Sequence, residues 1–162
     1  MATWKKVLTD ADIYYDENKK TFDYGSNFNS LNSAGEFCGE VISHGATSGT
    51  YTAGKIYALS ATWTLADKDN VADGKKQLGV ATGTTSSAMP TNGMLIKGLV
   101  SLSASIGGTG EIGDVVYLAD GGAVSYDAPT AAGDIIRPIG YSVNELFNTI
   151  FFDPDKTWVE LS

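Results

Sequence analysis

The chain has 162 residues, 43% of them hydrophobic, and a formal net charge of -8. That length fits one domain, or one domain with an arm, and can bury a core without covalent staples. With 11 lysines and arginines against 19 acidic residues, and Arg137 the single arginine, the chain lacks the cations that neutralise nucleic-acid phosphates, and no apolar stretch is long enough for a membrane span.

Residues 1–34 differ from the rest and read as an N-terminal arm. They open on Trp4-Lys-Lys-Val-Leu-Thr-Asp-Ala-Asp, long enough for one or two helical turns. Tyr14, Tyr15, Phe22, Tyr24 and Phe28 follow among charged and amide residues. The segment is too aromatic for a disordered tail, yet lacks the periodicity of an independent domain. Trp4, beside Val7 and Leu8, must fold back or dock on a partner. The opening residues do not resemble a signal peptide, because the apolar run breaks at once into Thr9, Asp10 and Ala11. The chain is expected to be soluble and to fold in a cytoplasm.

Residues 35–162 read as a β-module. Phe37 to Ile42 is a first strand and 45–49 a loop. Lys55 to Ser60 and Trp63 to Ala66 form a hairpin, and 67–76 is a polar loop before a strand at Gln77 to Thr82. A second loop covers 84–93. Met94 to Leu102 alternates, which places Met94, Ile96, Val100 and Leu102 on one face with Gly98. Asp120-Gly-Gly joins strands at Val115 to Ala119 and Ala123 to Tyr126. Ile135 to Val143 is a closing strand with Pro138 at an edge or bulge. Thr149 to Phe152 and Thr157 to Leu161 complete the set. The pattern specifies an all-β fold, a small β-barrel or a two-sheet sandwich, with an extended N-terminal arm.

One block occurs twice. Gly54-Lys-Ile-Tyr-Ala-Leu-Ser leads, after a polar stretch, to Gly79-Val-Ala-Thr. Gly113-Asp-Val-Val-Tyr-Leu-Ala-Asp leads likewise to Gly140-Tyr-Ser-Val. Each is a glycine, a short apolar strand, a turn region and a second strand opened by glycine. Such a block supplies surface and rigidity rather than reactive groups.

Motifs with chemistry are sparse. Gly108-Thr-Gly-Glu-Ile-Gly113 has dinucleotide-binding spacing but runs into a strand, where the motif requires a helix N-terminus. Asp67-Lys-Asp-Asn-Val-Ala-Asp-Gly resembles a calcium loop, but Ala72 occupies the glycine position and Leu78 the bidentate-acid position. A polar loop is the simpler reading. His44, the single histidine, sits among Ser43, Gly45 and Thr47 with no nucleophile elbow in the chain. Cys38 reads as a small buried hydrophobe. Trp63 reads as core, and Trp158 as core or a subunit contact. No catalytic, metal or cofactor residue is assigned, and no enzyme activity is expected.

Several runs resemble a known family. Ala2-Thr-Trp-Lys-Lys-Val-Leu-Thr-Asp-Ala-Asp is similar to the opening of small virion structural proteins of marine tailed bacteriophages. Gly93-Met-Leu-Ile-Lys-Gly-Leu-Val and Gly113-Asp-Val-Val-Tyr-Leu-Ala-Asp-Gly-Gly-Ala-Val resemble their C-terminal modules. So do Ala131-Ala-Gly-Asp-Ile-Ile-Arg-Pro-Ile-Gly-Tyr and Ile150-Phe-Phe-Asp-Pro-Asp-Lys-Thr-Trp-Val-Glu-Leu. The second half also looks like the β-tulip of head-decoration, capsid-stabilising proteins. The resemblance implies a non-enzymatic protein on the outer capsid surface, made in the host cytoplasm, with the major capsid protein as partner and a trimer as the favoured homo-oligomer. It implies that Trp4, Lys5, Lys6, Val7, Leu8, Tyr14 and Tyr15 of the arm meet the capsid. The alternative is a short fibre or tail or neck adhesin that binds a host-surface glycan, for which Tyr14, Tyr51, Tyr126 and Tyr141 are the right residue type. The long repetitive shaft of a true fibre is missing, which favours a compact knob or cement protein.

Overall fold

The computed structural model describes residues 31–43, 50–84, 93–146 and 148–162, with the backbone of two strands at 14–16 and 21–23. The chain divides into two compact units, Met1–Ser30 and Leu31–Ser162. In the first, β1 (Tyr14–Asp16) pairs antiparallel with β2 (Thr21–Asp23), so part of the expected arm is a short β-ribbon. The helical turns expected from Trp4 lie outside the described residues, as does the loop at 45–49.

The second unit is all-β, built on one antiparallel sheet curled into half a barrel. Its strands are β3 (Phe37–Ile42), β4 (Ile56–Leu59), β5 (Trp63–Leu65), β6 (Leu78–Ala81), β7 (Met94–Ser101), β8 (Val115–Leu118), β9 (Val124–Ser125), β11 (Pro138–Asn144) and β12 (Thr149–Phe152). A separate pair joins β10 (Ile135–Ile136) to β13 (Val159–Glu160). The expected closing strand is thus cut in two at Arg137, and the register of β11 against β8 shifts between Pro138 and Gly140, as the proline led one to expect. The polar loop at 67–76 contains one helical turn, α1 (Val71–Gly74). The Asn70 side chain caps it by accepting from the Ala72 N–H at 3.1 Å.

β7 organises the sheet. Leu95 pairs with both Val41 of β3 and Val80 of β6, and Val100 pairs with both Phe37 of β3 and Ile150 of β12. A strand has two flanks. β3 follows one from end to end, so β6 and β12 divide the other. The sheet forks at β7, and the fork sets its curl.

The alternation expected for this strand fails at one point. Glu40 pairs with Lys97 and Val41 with Leu95, so Ile96 is an extra residue, a β-bulge. The bulge moves the inward face by one position. Leu95 joins Val100 and Leu102 in the main core, while Met94 packs on the opposite side.

Beside the bulge, one rung of the sheet is mostly glycine. Gly39 faces Gly98, Gly98 faces Phe152, and Phe152 faces Gly140. A Cβ on Gly98 would lie 2.3 Å from the Cys38 carbonyl oxygen, and one on Gly140 would lie 1.9 Å from that of Phe151. Both residues have positive φ, 136° and 148°, which disfavours any side chain. The Phe152 ring fills the space inside this bend and is fully buried with Ile56, Leu78, Leu118, Ile139 and Ile150. Cys38, at this crossing, is half-buried rather than buried as expected.

The two sequence blocks share a backbone pattern. The Gly54 N–H donates to the Ala81 carbonyl at 2.8 Å, and the Ala81 N–H to that of Lys55 at 3.0 Å. The equivalent bonds run from Gly113 to Ser142 at 2.8 Å and from Ser142 to Asp114 at 2.9 Å. In each block the first strand pairs with the next strand on one side and the glycine-led strand on the other. The inward faces differ, however. Ile56 and Ala58 enter the main core from β4, but Val116 and Leu118, one position later, enter it from β8. The fork accounts for this. β6 and β11 lie on the same flank of β7 but run in opposite directions, so one block overlays the other only if turned over.

Gly98→Ala and Gly140→Ala should each lose roughly 2–4 kcal/mol, from backbone strain plus overpacking. Gly107→Ala should be nearly neutral, since its added Cβ would meet its nearest neighbours at an ordinary 3.6 Å. Urea titration of the three variants measures the difference.

Candidate functional site

Arg137 connects β10 to β11 and is only 4% exposed. Its Nε donates to the Asp155 carbonyl at 2.9 Å, and its Nη1 donates to those of Gly74 at 2.6 Å and Lys76 at 2.5 Å. Two of these carbonyls lie at the C-terminal end of α1, where helix carbonyls lack intrahelical partners. Burial pushes the guanidinium pKa down, and nearby Asp155 partly offsets this. The single arginine is therefore a clamp between α1 and the 153–157 loop, not a surface cation.

A second polar cluster ties the turn after β8 to the loop after β5. Carboxylate oxygens of Asp67, Asp69 and Asp120 lie within 4.8 Å of one another. The Lys68 ammonium bonds to Asp69, to Asp120 at 3.0 Å and to the buried Asp134 at 3.2 Å. Asp67 accepts from the Asp69 N–H at 3.0 Å and from the Gly121 N–H at 3.1 Å. The hydrogen bonds to Asp69 and then Asp120 raise the Lys68 pKa, and the bond to Lys68 is the main cause of the lowered Asp69 pKa. Asp73, the last acid of the calcium-like run, turns away to Lys76 and Asn70. The ammonium supplies the positive charge that Asp69, Asp120 and Asp134 share, so the loop is a polar strap. The glycine motif at 108–113 leads into β8, as its sequence indicated, with no helix after it.

Aromatic groups gather in two places outside the main core, one buried and one exposed. On the outer side of β4, β5 and β6, Tyr51, Tyr57 and Trp63 pack with Ala81 and Met94. Tyr57 pairs with Gly79, and the Trp63 ring lies against that glycine. Tyr51 and Tyr57 meet edge to face with centroids 5.1 Å apart. They border a cavity of about 370 Å³, shared with Trp63 and with Thr50, Thr52, Thr62 and Thr64. The Tyr57 hydroxyl accepts from the Thr52 N–H at 2.8 Å. Tyr51 is 2% exposed, and its buried hydroxyl has no hydrogen-bond partner among the described residues. Burial raises its pKa, with a smaller contribution from Tyr57. On the outer side of β8 and β11, Val115, Tyr117, Pro138, Tyr141 and Pro154 border an open groove of about 540 Å³. Tyr141 is 51% exposed there, and Trp158 and Val159 are exposed around β13.

Of the expected capsid contacts, Trp4, Lys5, Lys6, Val7 and Leu8 lie outside the described residues. Tyr14 and Tyr15 lie in β1, opposite Asp23 and Phe22. His44 lies outside the described residues too. Among the tyrosines considered for a glycan, Tyr51 borders the cavity and Tyr141 is exposed. The Tyr126 hydroxyl bonds to Ser142 at 2.8 Å and donates to Glu145 at 3.1 Å. Trp63 is buried as expected, whereas Trp158 is not in the core. Sequence reading did not assemble the Tyr51–Tyr57–Trp63 cavity. Its signal is the alternation in β4, which turns Tyr57 away from Ile56 and Ala58. Among the described residues, no helix is long and apolar enough to cross a membrane. No protein-family model, curated protein or solved structure matches the chain.

The Asp69 pKa is depressed in the folded state, so its stabilisation is present above the unfolded value of 3.8 and is lost as pH falls through the folded value. Lys68→Met should therefore be less stable than wild type at pH 7, with the gap shrinking below about pH 4. Thermal melts at both pH values measure it.

Proposed function

We propose that the chain is a non-enzymatic virion structural protein of a tailed bacteriophage that binds the outside of the capsid and stabilises the head. The β-body is the exposed knob, a trimer over a symmetry axis. Residues 1–34 are the arm that reaches the major capsid protein through Trp4, Lys5, Lys6, Val7, Leu8, Tyr14 and Tyr15.

The observation that carries this reading is the outer tyrosine groove on a body whose buried arginine serves an internal tie. Tyr117, Tyr141, Pro138 and Pro154, with Asp153, Asp155 and Lys156 beside them, give an amphipathic surface with the tyrosines enriched at protein interfaces. Arg137 and Lys68, by contrast, are held by carbonyls and carboxylates of the protein itself. The sequence resemblance points to the same role. Its mechanism is linkage. A protein that binds only the assembled, expanded shell stabilises it by about 2.7 kcal/mol per site at a hundredfold excess over Kd. Repetition over many shell sites sums these terms.

The test is co-sedimentation with empty expanded capsids. Saturable binding is expected, lost on deleting residues 1–34 and weakened by Trp4→Ala with an unchanged melting temperature. A Trp4→Ala variant that decorates shells like wild type would remove the arm as the anchor. Absence of any binding would remove the capsid as the partner.

A further inference from the structure

We infer that the cavity beside β4 and β5 is a binding site for a neutral hydroxylated ring, a hexopyranose sugar. This does not rest on the capsid reading. Two independent observations meet there. The first is the lining. Tyr51, Tyr57 and Trp63 wall it with rings that are themselves almost fully buried, while Thr62 and Thr64 add hydroxyl groups. Alternating C–H faces and hydroxyl edges are what a pyranose presents, and about 370 Å³ is within the range of small-ligand sites.

The second is the Tyr51 hydroxyl. It is buried and unpartnered, a condition native interiors rarely tolerate. Its neighbour Tyr57 is satisfied by the Thr52 N–H, so the local backbone does supply donors, but not to Tyr51. A ligand hydroxyl would complete it.

The charge of the lining selects the ligand class. Among the described residues, Lys55 is the one charged residue bordering the cavity, and its ammonium donates to the Gly121 carbonyl at 2.7 Å. Among the described residues no carboxylate lines the site to bind a cation, and a single engaged lysine is a poor counterpart for a phosphate or sulfate. A neutral polyol remains.

The experiment titrates the full chain with glucose, galactose, mannose, N-acetylglucosamine and glucuronate, read by saturation-transfer NMR and tryptophan fluorescence. At least one neutral sugar should bind saturably, and more tightly than glucuronate. Tyr51→Phe removes only the oxygen. It should weaken that binding at least tenfold while leaving the melting temperature equal or higher, because the lost hydroxyl had no partner. No saturable binding of any neutral sugar would overturn the inference. So would undiminished binding by Tyr51→Phe, or a preference for glucuronate. Either result leaves the capsid co-sedimentation outcome untouched, so the two readings fail separately.

Discussion

The bend at the Gly39–Gly98–Phe152–Gly140 rung is the constraint on which the rest of the second unit depends. Three of its four positions carry no side chain, and backbone atoms occupy the space where all three of those side chains would lie. Removing them lets β3 approach β7, and β11 approach β12, more closely than side chains permit. The one large residue in the rung, Phe152, fills the inner side of the curve. A flat sheet would leave its aromatic ring in water. The curled sheet buries it against aliphatic side chains from β4, β6, β8 and β11.

The fork at β7 follows from the same region and determines what the outer surfaces carry. Because the blocks meet β7 turned over relative to each other, equivalent backbone positions point to opposite sides. Tyr57 is at the position equivalent to Val116, yet Tyr57 looks outward and Val116 inward. One block consequently presents a tyrosine and tryptophan cavity, while the other presents an open groove with Tyr117 and Tyr141. Two copies of one hydrogen-bonding pattern produce two chemically distinct faces.

Much of this was legible in the sequence, and the reasons are local. The second unit's main-sheet strands and the Asp120-Gly-Gly turn follow from alternation and glycine placement, and both blocks were visible as repeats. The bulge at Ile96 was not legible, because a bulge is defined by the partner strand, and β3 lies more than fifty residues away in sequence. The error in face assignment along β7 follows from that one residue. The helical turn at Val71–Gly74 was hidden by its length, since a single turn has no periodicity. The role of Arg137 was hidden for a different reason. Composition treats an arginine as a surface cation, whereas three carbonyls from two separate segments hold this one inside.

The polar ties and the aromatic clusters are linked. Arg137 and Lys68 anchor α1, the turn after β8 and the 153–157 loop, the segments that leave the sheet and return to it. Fixing these connections keeps the short edge strands β5 and β9 in place, although they have only three and two residues. Trp63 stands on β5, and the Tyr57 ring is held by the register between β4 and β5. A loose edge would collapse the cavity, and a loose 153–157 loop would remove Pro154 from the groove. Arg137 and Lys68 act by holding in place the backbone on which the aromatic groups are mounted.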